Sequence, residues 1–389
     1  MDRDVLEGGG PPRAGSPRRL PRFRPPRLGP RGRWVAGIGA GLTAVLAITL
    51  LQRTAPEPVP VAAPSPSAPI AAPEPAPALA PPLPATGSSI GPGFLDPVAK
   101  WELFARTDTE VDRIQPLLAR VTRTAVPRLL STGPVSFLVT ADRALVRPLD
   151  VVPGYEVPDG RPAREMPTAL SPHGPVFPGP DPGHIWVPSG SSLVLRALDG
   201  GPDVARIVLP EDEPYQLVVV DGGGTLLVPG TSGVYEARPD GLRKLSTGAL
   251  LAVGPRNWLV AECTDRHRCY SDLLDRATGA RREIGPPVSV GPTVGAISPD
   301  GRTAAIYRTE DGGHVDLDLV DLASGEIRTA DVELEQSVEP GMLAWSPDGR
   351  LFVIAAGGAI RMIDRDSGRA GPIGPPLPPV RQLAVRTTG

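Results

Sequence analysis

The chain of 389 residues carries 52 prolines and 45 glycines, 4% aromatic residues and a formal net charge of −3. Its arginine excess sits at the N-terminus, so the remainder has no basic stripe and no nucleic-acid partner is expected. So few aromatic rings also disfavour surfaces that stack sugars or quinones.

Residues 1–33 hold Arg13, Arg18, Arg19, Arg22, Arg24, Arg27, Arg31 and Arg33 among prolines, with little apolar material to bury, and are predicted to be a disordered tail. Trp34–Leu51 follows as an uncharged apolar run of about 18 residues, close to the roughly 20 that a membrane-crossing helix needs. The arginines precede this run and Arg53 alone follows it closely, which predicts a cytoplasmic N-terminus and an extracytoplasmic C-terminal bulk. The run is longer than a signal-peptide core and no small-x-small site closes it, so residues 34–52 read as an uncleaved signal anchor. Gly37, Gly39 and Gly41 with Ala36, Ala40 and Ala44 form a small-residue face of the kind that pairs helices, a route to dimerisation through the span.

Residues 53–93 alternate proline and alanine and favour extended polyproline II, a semi-rigid stalk reaching at most roughly 120 Å. From Trp101 the texture changes to short apolar runs such as Val135–Val139, Leu217–Val220 and Leu351–Ile354, broken by glycine, proline and aspartate. No stretch sustains helical periodicity, so residues 94–389 are predicted to be all-β. The runs group into units at 101–127, 135–166, 184–210, 215–246, 249–285, 294–332 and 342–374. The first unit lacks a strand ahead of Trp101–Phe104, and Val380–Val385 lies unpaired at the other end. A ring of blades closed by the C-terminal strand satisfies both and removes exposed sheet edges. Seven blades are expected, with six or eight, or a β-sandwich, as alternatives.

One pentapeptide occurs twice between such runs, Ser298-Pro299-Asp300-Gly301-Arg302 and Ser346-Pro347-Asp348-Gly349-Arg350, about 48 residues apart, which is near a propeller blade's period. Proline presets the first turn position, aspartate bonds the backbone two residues on, and glycine supplies positive φ, so each copy is a tight reversal. With these turns the chain resembles the WD40-like and TolB-type β-propeller families, strongly in two units and more loosely in others, where Asp221-Gly222-Gly223-Gly224 and Pro188-Ser189-Gly190 keep only a turn. The resemblance implies a propeller that binds partners through its faces, and fixes no activity.

The two cysteines, Cys263 and Cys269, flank a short turn after Trp258–Ala261 and would face each other across a hairpin. Even count, close spacing and an extracytoplasmic address favour a disulfide. Metal binding is the rival, but Cys263, His267 and Cys269 supply three ligands where a structural zinc wants four. His173, His184 and His314 sit in no catalytic frame, and Gly222–Gly224 is followed by no helix that would bind phosphate. Asp316 and Asp318 alternate with Leu317 and Leu319 and are expected on an exposed strand face rather than around calcium. Trp186, Trp258 and Trp345 are expected to fill the wedges between blades.

The expectation is thus a single-pass, membrane-anchored extracytoplasmic propeller that binds or scaffolds a protein or cell-envelope component. No cofactor motif and no catalytic residue are found. The alternatives are a lactonase-like hydrolase with a metal in the central channel, and a signal relay through the arginine-rich tail.

Overall fold

The computed structural model describes residues 86–89 and, apart from short stretches of several inter-strand connections, residues 96–388; the tail, the expected span and most of the expected stalk lie outside the described residues. What is described belongs to the unit Ala78–Gly389. No helix among the described residues is long and apolar enough to cross a membrane. The only helical turns described are two 3-10 segments, Pro116–Leu118 and Ala356–Gly358.

Six sheets form in chain order. Sheet I contains Thr86–Ser89 (β1), Trp101–Arg106 (β2), Glu110–Gln115 (β3) and Arg120–Ala125 (β4); sheet II contains Val135–Val139 (β5), Arg143–Pro148 (β6), Tyr155–Pro158 (β7) and Arg164–Glu165 (β8). Sheet III contains Phe177–Pro178 (β9), His184–Ser189 (β10), Ser192–Ala197 (β11) and Asp203–Val208 (β12). Sheet IV contains Val219–Val220 (β13), Leu226–Gly230 (β14), Gly233–Arg238 (β15) and Gly241–Ser246 (β16). Sheet V has eight strands: Ala249–Val253 (β17), Asn257–Cys263 (β18), Cys269–Asp275 (β19) and Arg281–Gly285 (β20), then Gly295–Ile297 (β21), Thr303–Thr309 (β22), Val315–Asp321 (β23) and Ile327–Thr329 (β24). Its halves are two antiparallel meanders joined only by a short parallel pairing, Ala252 with Gly295 and Val253 with Ala296. Sheet VI contains Leu343–Trp345 (β25), Leu351–Ile354 (β26), Ile360–Ile363 (β27) and Ala370–Pro372 (β28). The last strand, Gln382–Thr387 (β29), returns to sheet I and pairs antiparallel with β2, from Trp101 opposite Thr387 to Arg106 opposite Gln382.

The apolar clusters show how the sheets are arranged. Phe104 and Val111 of sheet I pack with Ala144 and Val146 of sheet II. Leu145 packs with Ile185 and Val194 of sheet III. Trp186 and Leu195 pack with Leu226 and Val228 of sheet IV. Leu227 packs with Leu250, Trp258 and Val260 at the start of sheet V. Leu259 and Leu273 pack with Ile306 and Val320 across its halves. Tyr307 and Leu317 pack with Phe352 and Val353 of sheet VI, which in turn meet Trp101 and Leu103 of sheet I. The circle closes, and the fold is a β-propeller.

This arrangement explains the continuous apolar runs. A strand between two neighbouring sheets buries both faces, so Ala144 and Val146 serve one interface while Leu145 serves the other. Trp186 and Trp258 fill wedges between sheets as expected. Trp345 is half-buried and donates its indole N–H to the Ala296 carbonyl of the neighbouring meander at 3.0 Å.

Several elements differ from the sequence reading. The first strand of sheet III is the two-residue Phe177–Pro178 pairing with Trp186 and Ile185, ahead of the 184–210 unit read from the sequence. Proline on both sides hides it. Thr86–Ser89, at the end of the Pro/Ala-rich stretch, pairs with β4 as a fifth strand of sheet I. Asp316 and Asp318 share one strand face, but that face is covered: Asp318 is 2% exposed. Arg308 on the adjacent strand lies over it, donating to Asp318 at 2.8 Å and Asp316 at 2.7 Å, and Thr329 donates to Asp318 at 2.8 Å. An arginine one strand away neutralises what the linear pattern presents as a free acidic face.

Candidate functional site

In each meander, the turns between first and second and between third and fourth strands fall on one face of the ring, the turn face. The second-to-third loops and the links to the next sheet fall on the other, the loop face. The pentapeptide turns lie on the turn face. Ser298 donates to Asp300 at 2.6 Å, Asp300 accepts the Arg302 amide at 3.1 Å, the Thr303 amide donates to Ser298 Oγ at 3.0 Å, and Gly301 sits at φ +74. In the second copy Ser346 again donates to Asp348 and Gly349 sits at φ +85, but here it is the Arg350 amide that donates to Ser346 Oγ, at 2.9 Å. A side chain at either glycine would be forced into the left-handed region.

These turns also stitch neighbours together. Arg365 of sheet VI donates to Asp300 of sheet V at 2.7 Å, and Arg350 pairs with Asp96 at the entry to sheet I while lying 5.8 Å from the Trp101 ring centroid. Burial would raise the Asp300 carboxyl, but bonds from Ser298, Arg365 and the Arg302 amide outweigh it and hold it down to about 2. Arg276 of sheet V reaches back to sheet IV, donating to Thr225 at 2.9 Å and the Gly223 carbonyl at 2.8 Å beside the buried Asp221 carboxylate at 3.1 Å. Asp221 accepts the Gly223 and Thr225 amides and the Trp258 indole N–H.

A second repeat on this face went unread in the sequence: Asp275-x-x-Thr278-Gly279, Asp321-x-x-Ser324-Gly325 and Asp364-x-x-Ser367-Gly368. In each, the aspartate accepts both the amide and the hydroxyl of the Thr or Ser three residues on, at 2.7 to 2.9 Å. Spacing similar to the pentapeptide's was the available signal. Where arginine follows the aspartate, as Arg276 and Arg365, the preceding meander's turn presents an aspartate; where Leu322 follows, it does not.

The loop face is different. β29 neighbours both β5 and β25, β21 neighbours both β17 and β25, and β9 neighbours β13, so the first strands circle the axis. Around it lies a cavity of about 980 Å³ lined by residues from every sheet. The half-buried Val135, Phe137, Phe177, Val219, Val294 and Leu343 make its walls hydrocarbon. Glu339, exposed at its edge, is the single charged residue among the described lining. Gln382 at the start of the closing strand donates to the Val135 carbonyl at 2.7 Å and the Pro340 carbonyl at 3.0 Å, tying three sheets at the rim. Behind it, buried Arg106 donates to Gln382 Oε1 at 2.8 Å, and burial lowers its pKa. Tyr307 also lines the cavity; its buried hydroxyl makes no hydrogen bond among the described residues, and burial pushes its pKa far up.

Cys263 and Cys269 are register partners joined by a disulfide, with Cα atoms 3.9 Å apart, on a loop-face hairpin of sheet V. His267 and His173 lie outside the described residues. Cys263→Ser is expected to lower stability by about 2 kcal/mol, read as a thermal shift that reductant reproduces in the parent and not in the variant. His184 pairs with Asp181 at 2.7 Å on the turn face and His314 with Asp316 at 3.2 Å, so no histidine pair comes together among the described residues. Among the described residues no group of three metal-ligating side chains converges.

One buried acid stands apart from any site. Asp112 on β3 is 0% exposed, its oxygens accept no hydrogen bond among the described residues, and Arg123 approaches only to 3.7 Å. Desolvation, with Glu110 adding repulsion, raises it to about 7 despite Arg123. A raised acid binds its proton more tightly in the folded state, so its contribution to stability is full below about pH 4 and is lost as pH rises towards 7. Asp112→Asn should therefore match the parent at pH 4 and exceed it at pH 8 by about 2 kcal/mol, the amide retaining part of the burial cost. Urea unfolding at both pH values measures this; an equal difference at both would refute it.

No protein-family model and no curated protein match the chain. Among solved structures, apo AztD from Citrobacter koseri is 14% identical over 74% of this chain and 98% of that one, with a TM-score of 0.46. A putative 6-phosphogluconolactonase from Bacteroides fragilis is 14% identical over 74% and 98%, TM-score 0.44. TolB from Acinetobacter baumannii is 13% identical over 74% and 82%, TM-score 0.40. The propeller assignment rests on this chain's own strand order and closure, in keeping with the WD40-like, TolB-type resemblance of its turns.

Proposed function

We propose that the protein is a single-pass, membrane-anchored extracytoplasmic binding or scaffolding module, a seven-bladed propeller that holds a protein or cell-envelope component on its loop face. The blade count follows from taking the two meanders of sheet V, joined only by two parallel residue pairs, as separate blades. The observation that carries the binding reading is the asymmetry of the ring. The turn face is stitched by arginine–aspartate pairs between neighbours, whereas the loop face opens on a hydrocarbon-walled cavity. A hydrolase with an axial metal would need several oxygen or nitrogen donors converging there, and the described lining offers one carboxylate. The arginine-rich flank of residues 34–52 supports the address.

A reporter active only outside the cytoplasm, fused after Gly389, is expected to be active; an expressed but inactive fusion would overturn the address. Photo-cross-linkers on the loop face in intact cells are expected to capture a discrete partner that turn-face positions such as Asp366 do not. Equal capture from both faces would remove the assignment of the binding face.

A further inference from the structure

We propose that the outer turn-face corner of sheet I is a second membrane contact, a small apolar wedge that docks on anionic lipid of the bilayer holding the chain. This rests on the anchored reading. Six large apolar side chains are exposed among the described residues, and three of them, Val98 at 81%, Leu117 at 50% and Leu118 at 61%, gather at this one corner instead of scattering. The Asp96 amide donates to the Pro116 carbonyl at 3.1 Å, which sets the entry to β2 beside the turn between β3 and β4. Val98 belongs to that entry, and the two leucines ride on the turn.

The turn projects them. Pro116–Leu118 is a single 3-10 turn closed by the Ala119 amide on the Pro116 carbonyl. Ala119 stands at φ +46, the one non-glycine residue at positive φ among the described residues, where an L-residue is strained. Pro116 is buried, while the leucines it leads face solvent. The interfacial layer of a bilayer covers such side chains, and water does not.

Charge names the lipid. Lys100 and Arg120 flank the wedge, both exposed, and neither pairs with a carboxylate among the described residues. Asp96 and Asp348, the carboxylates tied into this corner, are both held by Arg350. Free cations beside an apolar tip fit a surface of anionic headgroups. Residues 53–85, between the expected span and β1, keep the corner at high effective concentration over the bilayer, so a small wedge suffices. β1 itself ends here, with Ser89 opposite Arg120. Docking by this corner turns the loop face away from the lipid, where a partner reaches it.

The test uses the full chain in anionic lipid nanodiscs, one copy per disc, with an environment-sensitive fluorophore on a cysteine placed at Val98, Val208 or Asp366. The two native cysteines are joined to each other and do not take the label. Spin-labelled lipid is expected to quench the Val98 label at least about three-fold more than the other two, because an interfacial wedge sits roughly 5 to 10 Å into the headgroup boundary. Lys100→Gln and Arg120→Gln should each lower the docked-to-free ratio about five-fold, and zwitterionic discs should remove that charge dependence. Leu117→Asp with Leu118→Asp should abolish the quenching with an unchanged thermal midpoint, since both positions are exposed. Equal quenching at all three positions overturns the proposal. A Val98 label shielded only when discs carry two copies also overturns it, in favour of a second chain on the corner. A chain that stays on the discs with Val98 unquenched rejects the corner alone; a chain that washes off them rejects the anchor and this proposal with it.

Discussion

A chain ending at Arg381 does not hold the folded ring. Residues 382–387 supply the first strand of sheet I, and without them β2 presents an unpaired edge from Trp101 to Arg106. The loss includes buried Leu383, worth roughly 2 kcal/mol of burial, the ladder bonds to β2, the three-sheet tie at Gln382 and the ion network at Arg386. Together these approach the roughly 5 to 15 kcal/mol that a domain has to spare. The truncated chain is expected to show no cooperative thermal transition and to elute as aggregate. A peptide covering 380–389, added in trans, should restore the transition, because the missing element is a strand and not covalent continuity. A truncated chain that unfolds cooperatively within about 2 kcal/mol of the parent would show that closure is dispensable.

Arg386→Ala is expected to cost about 3 to 5 kcal/mol at pH 7. Arg386 and Glu102 are both buried, with 7% and 5% of their surface exposed. Their closest approach is 2.5 Å, and Arg386 also reaches Asp159 of sheet II at 2.7 Å and the Thr140 carbonyl at 3.2 Å. Its guanidinium lies 4.7 Å from the Phe104 ring centroid, so aromatic contact is lost as well. Removing it strands Glu102 with Arg113 and Gln115 as its remaining partners. Burial would raise the Glu102 carboxyl, but bonds from Arg113, Arg386 and Gln115 outweigh it and hold it below the ordinary range. A depressed acid contributes stability above its unfolded pKa and loses it as pH falls. The gap between parent and variant should accordingly be widest near pH 7 and narrow below about pH 4. Chemical denaturation across that range decides; a pH-independent gap would mean that lost packing, and not the charge, accounts for the cost.

The fold was legible because its signals are local. Ser298–Arg302 and Ser346–Arg350 specify turns through their own side chains, and the strands between them are runs whose two faces are both buried. The returning strand was legible as an imbalance, one unit short of a strand and one strand short of a unit. What stayed hidden depends on neighbours distant in sequence. Phe177–Pro178 is a strand only because Trp186 and Ile185 lie beside it. Asp318 reads as exposed until Arg308 is placed over it. The cavity is the extreme case, since Val135, Val219 and Leu343 are ordinary strand residues until the ring sets them around one axis.

Sheet I receives the chain at both its margins, β1 on the outside and β29 on the inside. For a tethered protein this has a mechanical meaning. A pull arriving upstream of Thr86 first unzips four residues from β4, lengthening the leash while the ring stays intact. Beyond it, Asp96 is tied to Arg350, which anchors the entry of sheet I to sheet VI just ahead of β2. In a tethered chain the outermost strand, held by four residue pairs, would yield under tension before the six-pair closure of the ring is strained.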